Sequence, residues 1–216
     1  MAAKRIAVLG GTGALGSKLA EKLASVGHKV TIGSRDPERA SAVGAAFGAE
    51  GASYADAAAA AEIIILTVPF ASHEGVLGEI RAPAQGKIVV DATVPLKPPK
   101  VSVVQLPPAG SAALTTQQYL GPEVSVVSAF QNVGARHFEA GHSVDCDVLV
   151  TGDSKDARGV VIALIEDIGM NGLHAGPLAN AVAAEALTSL LIFMNRHYGS
   201  DRAGIRITGL GAEEIK

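Results

Sequence analysis

Residues 5–16 read RIAVLGGTGALG, in which an apolar run of strand length passes directly into a glycine-rich turn. The following residues, SKLAEKLASV, place Leu19, Leu23 and Val26 on one apolar face of a predicted helix. Strand, G-x-G-x-x-G turn and helix, in this order, are typical of a βαβ unit that binds a dinucleotide. Gly11 would then permit the tight turn, Gly13 would let the backbone approach a pyrophosphate, and Gly16 would let the helix pack closely on the strand. The motif by itself also fits a tight strand-to-helix turn without a ligand.

Composition and length favour one soluble globular protein. The chain has 216 residues, 48% hydrophobic and 18% charged, which suits one sizeable core and argues against a disordered or fibrous class. The net charge of −3 comes without a long run of like charge, so we expect no nucleic-acid partner. The single cysteine, Cys146, cannot form an internal disulfide, no targeting segment is recognisable, and apolar stretches such as Ile63–Val68 are too short to span a membrane. We therefore expect a cytoplasmic protein whose partners are small molecules.

Short β-branched runs alternate with longer amphipathic stretches along the chain, a pattern typical of a parallel sheet with crossover helices. The predicted strands are Arg5–Leu9, Lys29–Gly33, Ile63–Val68, Lys87–Asp91 and Val124–Ser128, with a shorter one near Ser53. After them come a strand Val148–Thr151, a helix Ala157–Asp167, a short strand near Leu173 and a helix Ala181–His197. We predict an α/β fold, a Rossmann-type doubly wound parallel sheet over residues 1–130, with a small C-terminal α/β domain over residues 131–216.

The end of the second strand decides which dinucleotide fits. An NAD site usually carries Asp or Glu there to hold the ribose hydroxyl, whereas this chain has Ser34 and Arg35. A hydroxyl and a guanidinium suit a 2′-phosphate, and Arg39 lies one turn into the next helix. This pattern predicts NADP. The alternative is that both arginines are solvated charges that pair with Asp36 and Glu38.

The fourth predicted strand ends in Thr67-Val68-Pro69-Phe70, at the carboxyl edge where α/β sheets bind ligands. Phe70 could lie beside the nicotinamide or the adenine, or simply pack at the rim. The proline-rich segment Pro95–Pro108 cannot be regular structure, and we expect an ordered surface loop near the site.

No residue stands out as a catalytic acid, base or metal ligand. The six histidines are scattered, and no Ser-x-x-x-Lys or Tyr-x-x-x-Lys arrangement marks an alcohol oxidoreductase. We therefore predict no catalytic side chain and no metal. Hydride transfer between two redox cofactors needs juxtaposed rings and little acid–base chemistry from the protein, so this absence is compatible with such a reaction.

The predicted helix Ala181–His197 is apolar nearly all round, with Leu190 and Met194 on one side and Ile192 and Phe193 on the other. Such a helix must be buried on more than one side. We predict a homodimer formed through this helix, and the alternative is a central helix inside a monomer.

An ordered set of segments resembles the NADP-dependent oxidoreductases of the deazaflavin coenzyme F420. The segments are GGTGALG, GSRDPER, ILTVPF, VVSAFQNVGA, DVLVTGD, AGPLANAVAAEALTSLLI and GIRITG. The resemblance implies an oxidoreductase that transfers a hydride directly between NADP(H) and coenzyme F420, with NADP in the Rossmann domain and the deazaflavin in a cleft completed by the C-terminal domain.

The resemblance also implies roles for individual residues. Thr12, Gly13, Ala14 and Leu15 would line the pyrophosphate, Ser34, Arg35 and Arg39 the 2′-phosphate, and Phe70 the cofactor pocket. Val133 would lie against the nicotinamide through its backbone. The deazaflavin would be held by the loop Gln131–Gly134, including Gly134, and by Ala203, Gly204 and Ile205.

Two other functions stay open. One is a related NADP-dependent reductase of an imine, a ketone or a ferric chelate, since the same nucleotide domain serves many reductases. The other is a protein that senses NADP without turnover.

Overall fold

The structure is a computed structural model that describes residues 2–139 and 146–210. Within these residues, eight strands form one sheet in the order β3-β2-β1-β4-β5-β6-β7-β8. The strands are β1 Arg5–Leu9, β2 Lys29–Gly33, β3 Glu50–Ala52, β4 Ile63–Leu66, β5 Ile88–Asp91, β6 Ser125–Ser128, β7 Asp147–Gly152 and β8 Asn171–His174. The strands β1 to β6 pair in parallel, β7 runs antiparallel to β6, and β8 is parallel to β7.

Helices connect the strands and cover both faces of the sheet. They are α1 Ala14–Ser25, α2 Pro37–Gly44, α3 Tyr54–Ala60, α4 Phe70–Ile80, α5 Ala112–Leu120, α6 Lys155–Asp167 and α7 Ala181–Tyr198. Alternate residues of a strand point to opposite faces, so Ile63 and Ile65 join one core cluster with α1, α2 and α6. Ile64 and Leu66 join the other, with α3, α4 and α5. The predicted doubly wound Rossmann-type sheet is confirmed.

Strands β1 and β2 have the predicted bounds. The strand near Ser53 and the C-terminal end of α1 differ from the prediction, because each is ended by the residues that follow it. The strand expected near Ser53 is Glu50–Ala52, because the Ser53 side chain accepts a hydrogen bond from Asp56 N and so starts α3. Val26, at the end of the predicted apolar face of α1, is 45% exposed, since α1 ends at Ser25 before Gly27 takes a φ of +94°.

The C-terminal strands extend the same sheet. Val148 of β7 and Val161 of α6 belong to the core cluster that also contains Ile6 and Val8 of β1. The predicted boundary near residue 130 follows β6, and the division into two domains stays a prediction.

Helix α7 differs from the expected helix in where it is buried. Leu190, Phe193 and Met194 are each more than 40% exposed, and the buried residues of the helix are Ala181, Ala184, Glu185, Ser189 and Leu191. The described part of the chain therefore does not enclose this helix, as the alternative of a central helix inside a monomer would require. By length and composition alone the stretch Leu178–Tyr198 is apolar enough to cross a membrane, with a mean hydropathy of 1.4 and 33% of its residues buried.

Candidate functional site

A cavity of about 980 Å³ opens at the carboxyl ends of β1, β2, β4 and β5. The strand order reverses between β1 and β4, and open α/β sheets bind ligands at such a switch point. The cavity is lined by Gly10, Thr12, Gly13, Ala14, Leu15, Ser34, Arg35, Asp36, Arg39, Tyr54, Thr67, Val68, Pro69, Phe70, Ala71, Ser72, Ala92, Thr93, Val94, Leu96, Pro98 and Val101. The predicted residues Gly11 and Gly16 lie beneath it and are buried.

The tight turn after β1 is made by a different glycine from the one the motif predicts. Gly10, not Gly11, has the left-handed backbone, with a φ of +84°. Gly11 is required for another reason, because a Cβ there would lie 2.9 Å from both Ile32 Cγ2 and Val8 O. The first glycine of the motif therefore allows β2 and the turn to approach, and its predecessor makes the turn.

The other two glycines stand where the motif predicts. A Cβ at Gly16 would lie 2.4 Å from Thr67 Oγ1, so this glycine lets α1 pack closely on the end of β4. A Cβ at Gly13 would meet only Gly10 O, at 3.2 Å, so its backbone is open toward the cavity. Gly13 is also the N-cap of α1, and no side chain caps it. The first N–H groups of α1 are thereby left to face a ligand, an arrangement that suits a pyrophosphate.

The corner of the cavity after β2 is positively charged. Asp36 is committed to the backbone: it caps α2 by accepting from Arg39 N at 3.0 Å, and its own N–H donates to Ser34 Oγ at 3.1 Å. Among the described residues, the ion pairs within 4.0 Å include neither Arg35 nor Arg39. The pairing of these arginines with Asp36 and Glu38, considered from the sequence, is not formed. Two cations therefore face the cavity.

Tyr54, the first residue of α3, lines the same corner and was missed by the sequence argument. The residue is 6% exposed, and its hydroxyl lies beside the Arg35 side chain. Burial raises the pKa of the Tyr54 phenol, against the charge of Arg35, which lowers it. The phenol is therefore neutral near pH 7. The signal was present in the sequence, because β3 pairs with β2 in this fold and the residues that follow the two strands must be neighbours.

A buried polar network supports the cavity wall under Phe70. The Phe70 ring stacks on His73, with centroids 6.1 Å apart, and His73 Nε2 lies 3.0 Å from Asp91 Oδ2. Thr116 Oγ1 donates to the same carboxylate oxygen at 2.6 Å, and Thr93 N donates to Asp91 Oδ1 at 2.8 Å. Burial alone would raise the pKa of Asp91, but the hydrogen bonds from His73, Thr116 and Thr93 and the charge of His73 hold it below its ordinary value.

Thr93 was also missed by the sequence argument. Its hydroxyl is buried, has no hydrogen-bond partner, and belongs to a residue that lines the cavity. It follows β5, so the carboxyl-edge rule used for Phe70 would have found it. The predicted loop Pro95–Pro108 has neither helix nor strand, and its Leu96, Pro98 and Val101 line the cavity. Open glycine backbone, two cations and an unpartnered hydroxyl together fit a phosphorylated dinucleotide.

The remaining predicted residues form a second group that does not line this cavity. Val133 is buried in the core, and Gly134 N donates to His137 Nδ1 at 3.0 Å. His137 Nε2 lies 3.2 Å from Arg202 O, next to Ala203. His137 thus ties the loop after β6 to the C-terminal segment.

The C-terminal segment is fixed to β7. A Cβ at Gly204 would lie 2.6 Å from Cys146 Cβ, and Ile205 O accepts from Asp147 N at 2.8 Å. In residues 2–139 and 146–210, no group of three His, Cys, Asp or Glu side chains is placed to hold a metal ion.

The fold and the cavity define a Rossmann-type dinucleotide-binding protein. Comparison with known proteins narrows the class, since residues 5–95 match the family model described as NADP oxidoreductase, coenzyme F420-dependent. F420-dependent NADP reductases of Methanothermobacter thermautotrophicus and Methanothermobacter marburgensis are 38% and 39% identical to the chain. The first alignment covers 97% of both chains, and the second covers 95% of this chain and 99% of the relative. This chain belongs to the family of F420-dependent NADP reductases.

A solved structure agrees with this assignment. A candidate F420-dependent NADP-reductase from Arthrobacter sp. FB24 superimposes with a TM-score of 0.86 at 28% identity. The superposition covers 95% of this chain and 100% of that one. The fold is therefore shared over nearly the whole of both proteins.

Proposed function

We propose that this protein is an oxidoreductase that transfers a hydride directly between NADP(H) and the deazaflavin coenzyme F420. The observation that carries the proposal is the cavity at the sheet's switch point. The open glycine turn after β1 lines it, and so do Ser34, Arg35 and Arg39 after β2. Membership in the family of F420-dependent NADP reductases supports the deazaflavin as second substrate.

NADP is bound by the residues around the cavity. Thr12, Gly13, Ala14 and Leu15 hold the pyrophosphate at the N-terminus of α1. Ser34, Arg35 and Arg39 bind the 2′-phosphate through charge-assisted hydrogen bonds, and Phe70 lines the pocket. Gly11 and Gly16 act indirectly, since they let β2 and α1 approach the turn.

The protein's contribution to the chemistry is positioning. When both are bound, the two cofactors supply hydride transfer between a nicotinamide ring and a deazaflavin ring. Among the described residues that line the cavity, the ionisable side chains are Arg35, Asp36, Arg39 and Tyr54, and all lie in the corner after β2 and β3. We therefore propose that none of these side chains acts as a catalytic acid or base, and that the protein contributes no catalytic side chain.

The deazaflavin subsite is assigned to the second group of residues. Val133 would face the nicotinamide through its backbone, and Gly134, Ala203, Gly204 and Ile205 would build the deazaflavin cleft. The support is that His137 joins Gly134 to Arg202, so the two segments share one side chain. Small residues let two flat rings approach to roughly the 3–3.5 Å that a near-attack geometry needs. On this proposal residues 1–130 bind NADP and residues 131–216 complete the cleft.

We further propose a homodimer through α7. Ala183, Leu187, Leu190 and Met194 recur at spacings of four, three and four, which form one stripe along the helix. Leu190 and Met194 are 48% and 44% exposed, and Phe193 beside them is 56% exposed. A self-complementary apolar stripe suits a twofold interface with a second copy of the chain. We place the enzyme in the cytoplasm, without a membrane or nucleic-acid partner.

The experiment is a screen of NADPH oxidation. The purified protein is mixed with NADPH and, in separate reactions, with the deazaflavin, a free flavin, a ferric chelate, a cyclic imine or a simple ketone. We expect rapid oxidation with the deazaflavin and little with the others. Turnover of the imine, ketone or ferric chelate instead would assign a different reductase. Tight NADPH binding without turnover of any acceptor would identify a sensor.

A further inference from the structure

The corner that receives the 2′-phosphate contains an aromatic residue that no motif assigns. Strands β2 and β3 pair in parallel, with Gly33 opposite Ala52. The chain leaves both strands at the same edge, so Arg35 and Tyr54, each two residues beyond this pair, meet there. Both line the cavity.

The Tyr54 ring is held by packing on the strand end. A Cβ at Gly33 would lie 2.3 Å from Leu9 Cδ2, so the Leu9 side chain occupies the space beside this glycine, and the Tyr54 ring lies next to it, with Cδ1 3.4 Å from that Cβ position. Tyr54 also belongs to the core cluster that contains Ala57 and Leu66. The Tyr54 ring is therefore held in place by packing and lies beside the exposed Arg35 side chain.

The chemistry of the two side chains fixes how they can interact. A guanidinium carries N–H donors and no acceptor, so the Tyr54 oxygen is the acceptor toward Arg35, which lowers the pKa of the phenol. The hydroxyl hydrogen is then left to donate to another group. Burial raises the pKa of the phenol, so this hydrogen is retained near pH 7.

We propose that Tyr54 is a positioning residue that sets the preference for NADPH over NADH, by orienting Arg35 and by donating its own hydroxyl hydrogen to the same phosphate group. The inference rests on the proposed binding of NADP. A free arginine loses side-chain freedom when it binds a phosphate, and a guanidinium already held by Tyr54 loses less. The hydrogen-bond donors of Arg35 and Tyr54 are therefore oriented before the phosphate binds.

The test measures nucleotide binding by calorimetry, with no deazaflavin present. Tyr54→Phe keeps the packed ring and removes the hydroxyl, and Tyr119→Phe is the matched control, because Tyr119 also lies beside an arginine, with Arg81 5.8 Å from its ring centroid. We expect Tyr54→Phe to weaken NADPH roughly 5- to 30-fold and to change NADH less than about twofold. Tyr119→Phe should change neither.

The double variant separates positioning from a structural role. In an Arg35→Ala background the part of the Tyr54→Phe effect that acts through Arg35 is absent, so its effect on NADPH should shrink to less than about threefold. Should Tyr54→Phe fold poorly, Arg35→Lys tests the contact from the other side. An ammonium lacks the planar fork that serves a phenol and a phosphate together, so NADPH should again weaken several-fold and NADH should not.

Equal weakening of both nucleotides by Tyr54→Phe, or full retention of NADPH affinity by a folded Tyr54→Phe protein, would overturn the proposal. A wild-type protein without preference for NADPH would overturn it as well. Failure of hydride transfer to the deazaflavin would instead refute the second substrate and leave this binding result standing, so the two failures are distinguishable.

Discussion

Replacing Arg35 by alanine should lower the selectivity of the site for NADPH over NADH. Arg35 is exposed at the cavity rim, forms no ion pair with the described carboxylates and lies next to Ser34 and Arg39. Its guanidinium is therefore available for the 2′-phosphate without first breaking a salt bridge. NADH has no 2′-phosphate, so its affinity should not depend on Arg35.

The magnitude follows from the strength of a charge-assisted contact. Loss of one such contact to a phosphate costs on the order of 1.5–3 kcal/mol, so NADPH affinity should fall roughly 10- to 150-fold. Arg39 and Ser34 remain in the variant, which keeps some preference for NADPH. Because the contact is near the surface, the difference between wild type and variant should narrow as ionic strength rises.

The assay is equilibrium binding of NADPH and NADH to wild type, Arg35→Ala and the control Arg81→Ala, together with thermal unfolding of each protein. Arg81 lies over the Tyr119 ring and does not line the cavity. Its replacement should leave both nucleotides unchanged. Equal loss of NADPH and NADH in Arg35→Ala, with unfolding unchanged, would refute the assignment of this corner to the 2′-phosphate.

Three further predictions concern other parts of the molecule. Gly134→Val should lower turnover with the deazaflavin at least about tenfold while NADPH binding persists, because bulk in the cleft blocks ring stacking. The fold should tolerate the change, since a Cβ at Gly134 meets only His137, at 3.6 Å and beyond. Leu190→Glu should yield monomers in light scattering at micromolar concentration, because it places a charge in the exposed apolar stripe of α7. Glu185→Gln should make the unfolding free energy depend less on pH. Burial raises the pKa of the Glu185 carboxyl from 4.5 to about 8, so in the wild type the unfolding free energy decreases as pH rises.

The sign of the Glu185 effect is set by proton uptake. Between about pH 4.5 and about pH 8 the folded state keeps a proton that the unfolded state has lost, so the unfolding free energy decreases as pH rises through this window. The decrease is at most about 1.4 kcal/mol per pH unit. Chemical denaturation of both proteins across the window measures it, and identical slopes would contradict the prediction. Normal turnover in Gly134→Val, or a dimer that survives Leu190→Glu, would likewise contradict the other two.

Gly134 is a better position than Gly204 for adding bulk to the cleft. The sequence points to both glycines as neighbours of the deazaflavin, but their surroundings differ. A Cβ at Gly204 would collide with Cys146, at 2.6 Å, so Gly204→Leu damages packing before it affects a ligand. Gly134 has an extended backbone and open surroundings, which makes it the cleaner position.

The nucleotide half of the fold is predictable because its signals are local. The glycine turn, the β-branched strands and Pro37 at the start of α2 each fix nearby backbone, and the first two strands have the predicted bounds. No local motif marks Tyr54 or Thr93, because they reach the cavity through the order of the strands in the sheet. Thr93 follows from the rule that ligands bind at the carboxyl ends of strands, and Tyr54 follows once β3 is placed beside β2.

The side of α7 that faces the protein was harder to predict for a related reason. Composition counts apolar residues, but the buried face of α7 also contains a polar contact: Glu185 accepts from Ala112 N at 2.7 Å and from Ala113 N at 3.1 Å, at the N-terminus of α5. A carboxyl at a helix N-terminus satisfies free N–H groups. The apolar face is thereby turned outward, and no periodicity in α7 alone could show this.

Direct hydride transfer between the two cofactors is the central claim, and an isotope experiment tests it. NADPH carrying deuterium at the transferable position of the nicotinamide is mixed with the protein and the oxidised deazaflavin in ordinary water, and the reduced deazaflavin is analysed by mass spectrometry. Direct transfer predicts that each reduced deazaflavin gains one deuterium. Reduced deazaflavin without deuterium, or no reduction while NADPH remains bound, would contradict the account.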